Sequence, residues 1–245
     1  MIGELLGLTE RDRAVLSEVT RFGVMSREQL IRLKLFRSKT RANERLRRLV
    51  NHDYLTTRRQ ALQLGGPRFI YLPGRALADT QETRRRFSEV SDVFLLHQLG
   101  LIDIRIAFEA HTTLTRWLSD KELATATLGV IPDAYLEFQV GTPTFCAFIE
   151  YDRGTETLGR FERKVRAYLD AAYSGAFERT FHRKYFRLLV VTDTDRRLAT
   201  LSADVARLTD KIVRLTTLTE LTNSGPLASI WRRPGASTSQ SLTVS

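Results

Sequence analysis

Three acidic residues set the chemistry this chain could perform. Asp133 follows Pro132 in a strand-like run, Val130 to Phe138, and Glu150-Tyr151-Asp152 ends the next run. Carboxylates brought together at the ends of adjacent strands can hold an oxygen-seeking divalent cation such as Mg²⁺ or Mn²⁺. Such an ion activates water and neutralises the charge that builds on a phosphodiester under attack. Lys164 and Tyr168 follow on a helix at i and i+4, so they share one face. From there Lys164 could stabilise a developing phosphorane and Tyr168 could orient it. The candidate catalytic residues are therefore Asp133, Glu150 and Lys164, and the candidate metal ligands are Asp133, Glu150 and Asp152. Asp152 has two other uses open to it: capping the next helix, or pairing with Arg153.

A second chemistry lies near the amino end. Six basic residues fall between Arg37 and Arg48. On one helix face Arg41, Arg45 and Arg48 recur at i, i+4 and i+7, flanked by Thr40, Asn43, Glu44 and Arg47. Arginine can bond guanine edges in bidentate fashion, and asparagine can do the same with adenine. Lys39 and Arg37, at and just ahead of the helix start, are placed to clamp phosphates beside free amide groups. Arg58 and Arg68 flank a Gly65-Gly66-Pro67 turn and could reach the adjacent backbone or minor groove. The charge is uneven. Residues 1–90 hold 19 Lys and Arg against 10 Asp and Glu, a net +9 of the chain's +10. A basic excess confined to one end favours a polyanion-binding module joined to a near-neutral domain.

The elements that must position these residues can be read from caps and periodicity. Thr9 with Asp12, and Ser26 with Gln29, are capping pairs that open two helices. A third starts at Ser38, with Ala42, Leu46, Leu49 and Val50 as its apolar face. Strand-like runs follow at Tyr54 to Leu62 and Arg68 to Leu72. Helix, helix, helix, strand, turn, strand resembles a winged helix-turn-helix. Residues 1–75 are read as that module and 76–91 as a linker or connecting helix. Residues 92–234 form a second domain with a mixed sheet, and 235–245 a Ser/Thr-rich disordered tail. The overall class is α/β (α+β taken as a whole). In the second domain Asp92 to His111 is a long amphipathic helix with Val93, Leu96, Leu99, Ile102, Ile106 and Ala110 as its stripe. Thr112 to Leu123 is open between a short strand and a helix carrying Leu114 and Trp117, with Leu114 to Ser119 the candidate first strand. Thr144 to Tyr151 and Tyr185 to Thr192 are apolar enough to be central strands. Helices are expected over Thr155 to Tyr173 and Arg197 to Leu218, and a short strand over Ala228 to Trp231.

The order from Asp92 to Thr192, with acids at Asp133 and Glu150 and the Lys164/Tyr168 helix, resembles the PD-(D/E)XK nuclease core. That resemblance makes Glu109 a further acidic candidate. The lysine of the motif is replaced by Asp152, and Lys164 would have to substitute from the helix. Over residues 8 to 220 the winged-helix pattern, Pro132-Asp133, the run Phe148 to Thr155 (FIEYDRGT) and Lys164…Tyr168 together resemble the replication-relaxation family. The resemblance implies a bacterial, cytoplasmic, nucleoid- or plasmid-associated protein acting on mobile elements. Its expected partners are double-stranded DNA, replication or transfer proteins, and a second copy in a homodimer. The expected function is a DNA-binding accessory or regulatory factor with a degenerate nuclease-like domain. The competing expectations are a Mg²⁺-dependent endonuclease or nickase targeted by the winged helix, and a transcriptional regulator or protein-interaction scaffold.

Other chemistries find no support. No apolar run reaches the roughly 20 residues of a membrane helix, and no basic n-region marks a secretory signal. Cys146 is the single cysteine, set in an apolar strand, which suits a reducing compartment. The four histidines have no zinc spacing. There is neither a P-loop nor a G-x-S-x-G elbow. No histidine cluster accompanies a tyrosine in the manner a relaxase nucleophile needs.

Overall fold

The computed structural model describes residues 7–60, 68–77, 91–126 and 128–243. The chain divides into two compact units, residues 1–106 and 107–245. The Gly65-Gly66-Pro67 turn, the Arg84-Arg85-Arg86 run and the Arg68 side chain lie outside the described residues.

In the first unit, helix α1 (Glu10–Phe22) opens on the Thr9/Asp12 capping box and closes on Gly23 in the left-handed region. Strand β1 (Met25–Ser26) leads into α2 (Arg27–Arg32), whose box is Ser26/Gln29. Helix α3 (Lys39–Asn51) is capped by the Ser38 hydroxyl, which accepts the Arg41 N–H at 3.3 Å. Strands β2 (Leu55–Gln60) and β3 (Arg68–Pro73) pair antiparallel, and β1 joins them in the order β1-β3-β2. Gly74 ends this sheet with its N–H on Tyr54 O at 2.9 Å. A Cβ there would lie 2.1 Å from Asp53 O, so only glycine fits.

Helix α4 (Asp92–His111) corrects the expected boundary at residue 92, because the division falls inside it at 106/107. Its early residues are committed to the first unit. Leu95 and Leu99 pack with Val24, Ile70 and Leu72, and the buried Gln29 amide donates to Leu99 O at 2.8 Å. Arg105 pairs with Glu18 at 2.6 Å, and Arg32 with Asp103 at 2.6 Å. The expected one-sided stripe is also too narrow. Leu101, Ile104 and Phe108 are buried with Leu99, Ile102 and Ile106, while Val93 is exposed. Apolar on every side, such a helix is buried rather than amphipathic.

The second unit is built on a seven-stranded mixed sheet. Its strands are β4 (Thr113–Ser119), β5 (Ala134–Gln139), β6 (Thr144–Asp152), β7 (Arg187–Thr192), β8 (Val213–Thr217), β9 (Trp231–Arg232) and β10 (Ser239–Gln240). They lie in the order β10-β9-β8-β7-β6-β5-β4. The β6–β7 and β7–β8 pairs are parallel and the others antiparallel. Parallel neighbours need crossovers. These are α6 (Leu158–Tyr173) with α7 (Ala176–Phe181), and α8 (Asp195–Val205). The short α5 (Asp120–Leu123) and α9 (Leu218–Ser224) follow β4 and β8. The main core joins one sheet face to the three crossover helices. It is made of Tyr135, Phe148, Leu188, Val190 and Leu215 against Phe161, Val165, Tyr168, Phe177, Leu201 and Val205.

Two expectations in this unit are corrected. The helix expected over Arg197 to Leu218 ends at Val205, and Val213–Thr217 is a buried strand. The tail expected to be disordered from 235 forms the edge strand β10 and buries Leu242. It is held by Arg187 Nη1 on Leu242 O at 2.6 Å and Ser241 Oγ on Leu227 O at 2.9 Å. Among the described residues no helix is long and apolar enough to cross a membrane.

Candidate nucleic-acid interface and carboxylate centre

Helix α3 turns Ala42, Leu46 and Leu49 into the core, which fixes what faces outward. Thr40, Glu44, Arg47 and Asn51, at i, i+4, i+7 and i+11, are all exposed and form the outer crest. Arg41 and Arg48 lie along the side nearer α1, Lys39 sits at the helix start, and Arg37 is exposed just before it. The expected face of Arg41, Arg45 and Arg48 is thus a flank, and Thr40, Glu44 and Arg47 of the expected flank are on the crest.

Arg45 is not available to a ligand in this arrangement. Its guanidinium bonds both oxygens of Asp12, which is fully buried in α1. Burial works to raise the Asp12 carboxyl, and hydrogen bonds from Arg45 and Thr9 overcome it, leaving the group below its ordinary range. Asn43 Oδ1 accepts from Arg27 at 2.8 Å, and Arg58 pairs with Asp92 at 3.0 Å. Arg41, Arg47 and Arg48 remain, joined by Arg11 along an open groove of about 570 Å³ that Glu44 also lines.

In the second unit the start of β5 lies beside the end of β6. Ala134 pairs with Ile149, and one residue further back the Asp133 carboxylate accepts the Tyr151 N–H at 2.8 Å. Glu150 projects to the face covered by α6. There Lys164 Nζ lies 2.7 Å from its Oε2, and the Tyr168 hydroxyl donates to its Oε1 at 2.5 Å. Lys164 also reaches Glu156 at 3.4 Å. Glu150 is 2% exposed. Burial first, and then the charge of Asp133, push its carboxyl up to about 7, against the pull of Lys164 and Tyr168. Burial opposes the Lys164 cation, but Glu150, Asp133 and Glu156 together raise its pKa. The Tyr168 hydroxyl is raised far above its ordinary value by burial and by Glu150.

Asp152 is engaged by an arginine from a helix other than α6. Arg197 of α8 clamps it in bidentate fashion at 2.9 and 2.7 Å, and Gly154 N–H bonds Oδ1 at 2.5 Å. Arg153 pairs with Asp193, which also receives the Tyr151 hydroxyl. Arg197 and Glu156 were not legible in sequence, because neither carries a spacing that ties it to the acids. Glu109 is half-buried on α4.

A divalent cation of the Mg²⁺ type wants a near-octahedral oxygen shell. These residues do not fit it. Glu150 has both oxygens engaged, Asp152 is neutralised by Arg197, and one Asp133 oxygen is held by the backbone. Among the described residues no group of three or more His, Cys, Asp or Glu could hold a metal ion.

The two units thus define a class: a helix-rich unit with an exposed basic helix, and a mixed α/β unit with a buried Glu–Lys–Tyr centre. A family model described as replication-relaxation matches residues 16–183, and the chain belongs to that family. No curated protein sequence matches it. Among solved structures it is similar to restriction endonuclease FokI, at 13% identity and a TM-score of 0.35, over 86% of this chain and 42% of that one. It is also similar to FokI bound to DNA, at 14% identity and a TM-score of 0.31, over 91% and 45%. The chain therefore spans less than half the length of either.

Proposed function

We propose that this protein binds duplex DNA through α3 of a winged helix-turn-helix, as an accessory or regulatory factor in the replication or transfer of a mobile element. The observation that carries the reading is the outward surface of α3, where Arg47 and Thr40 on the crest are joined by Arg41, Arg48 and Lys39 while the apolar stripe faces inward. A helix of this kind fits the major groove. Arg47 and Glu44 would meet base edges, and Arg37, Lys39, Arg41 and Arg48 would meet phosphates. Membership of the replication-relaxation family supports the setting. The carboxylate centre acts as a structural tie of the nuclease-like domain, with Glu150 joining β6 to α6 through Lys164 and Tyr168.

The test is fluorescence anisotropy with labelled duplex at low salt, alongside plasmid incubated with Mg²⁺ or Mn²⁺. Binding that falls at least tenfold in Arg47→Ala/Arg48→Ala, without nicking, is the expected result. Failure to bind any duplex at low salt would overturn the DNA reading. Metal-dependent nicking that disappears in Asp133→Ala would make the protein an endonuclease instead.

A further inference from the structure

A pocket of about 360 Å³ lies at the amino ends of β6, β7 and β8, away from the carboxylates at their other ends. That volume is in the range of small-molecule sites, about 300–1,000 Å³. In register, Ala147 faces Arg187 and Leu189 faces Arg214. Strand alternation therefore puts both arginines on the sheet face that carries Phe145 and its cross-strand partner Phe138, whose rings stack at 5.3 Å and 18°. Lys211 joins them at the rim, and Tyr185, 83% exposed, stands at the mouth.

The charged side chains that line this pocket are all cationic. Among the described residues its lining holds Arg187, Lys211 and Arg214 and no carboxylate. Arg214 is 3% exposed, and its Nη1 donates to the carbonyls of Val213 at 2.7 Å and Lys211 at 2.9 Å. Its Nε has no hydrogen-bond partner. Arg233 stands close by, its Nε likewise buried and unpartnered, and Asp210 is the carboxylate that acts on Arg214 from nearby. A guanidinium buried without a counter-ion is costly, and an anion in the pocket would relieve that cost. Burial and the neighbouring Arg187 and Arg233 press the Arg214 group down to about 10, in keeping with that strain.

We propose that this pocket binds a phosphomonoester on a planar body of mononucleotide size, its phosphate between Arg187, Lys211 and Arg214 and its ring against Phe145 and Tyr185. A phosphomonoester carries close to two charges near pH 7, which suits three cations better than a carboxylate would. The same chemistry is offered by a free nucleotide and by the 5′ end of a nucleic-acid strand.

Calorimetry on the full chain tests this with adenosine 5′-monophosphate, adenosine, and a trinucleotide with and without a 5′-phosphate. At least one phosphorylated probe should bind at least tenfold tighter than its unphosphorylated counterpart. Lys211→Glu should weaken that binding at least tenfold with unchanged Tm, since Lys211 is exposed. Arg214→Met should abolish it, and if that variant does not fold, Lys211→Glu decides. Preference for the trinucleotide assigns the site to a strand end, and preference for the mononucleotide assigns it to a free ligand; both sustain the proposal. No phosphate-dependent binding at millimolar concentration, or binding indifferent to Lys211→Glu, overturns it.

Discussion

A carboxylate as buried as Glu150 persists as an anion only where donors surround it, and here Lys164 and Tyr168 are those donors. The balance still favours the proton up to about pH 7. An unfolded glutamate releases its proton near 4.5. Between those values the folded state holds more protons than the unfolded one, so stability falls as pH rises. Glu150→Gln keeps a partner for Tyr168 and removes the titration. Its Tm plotted from pH 4.5 to 7 should lose the downward component that the parent shows, and parallel curves would contradict the assignment. A second residue-scale contrast separates Arg45 from Arg47. Arg45→Ala strands the fully buried Asp12 and should cost about 2–3 kcal/mol, less than a wholly enclosed pair because Arg45 is partly exposed. Arg47→Ala should leave the melting curve where it is and weaken duplex binding. The sequence puts Arg45 on the basic face and Arg47 on its flank, because the acid that takes Arg45 out of that face lies 33 positions away.

At the scale of elements, what is local was legible. The hydroxyl caps at Thr9, Ser26 and Ser38 and the stripes behind them were sufficient to place α1, α2 and α3. What depends on distant partners was not. Leu201, Val205, Leu208, Ile212 and Leu215 continue a helical spacing without a break. The strand at Val213–Thr217 exists because β7 offers it a parallel edge, which no local pattern records. The tail misleads in the opposite sense, since its Ser/Thr composition hides one residue, Leu242, that is 2% exposed. The candidate centre follows the same division. The i, i+4 spacing placed Lys164 and Tyr168 on one face, but the clamp from Arg197 onto Asp152 crosses from α8 to β6 and left no trace in the spacing. If the tail is an integral edge, Leu242→Ala should cost about 2 kcal/mol, a fall in Tm of roughly 4–8 °C. An unchanged melting curve would mean that β10 adds nothing to the sheet.

For the whole molecule the question is whether a net charge of +10 acts as a diffuse field or through one surface. A diffuse field weakens by similar amounts wherever two charges are removed, because it depends on the summed charge and not on contact at one position. A docking surface does not, since each phosphate contact releases counterions and adds about 0.9 to the slope of log affinity against log salt. The exposed pairs Arg47/Arg48 on α3 and Arg163/Arg166 on α6 allow the comparison, with Arg166 already paired to Glu162 at 2.7 Å. Both double-alanine variants lower the net charge by the same amount. Replacing Arg47 and Arg48 should reduce affinity for duplex at least tenfold and flatten the salt slope by about one unit, the share of the Arg48 phosphate contact. Replacing Arg163 and Arg166 should leave the slope within half a unit of the parent. The measurement is a titration series from about 50 to 200 mM salt on one labelled duplex. Equal losses in the two variants would mean that the polyanion is held by bulk charge and that α3 has no special place in binding it.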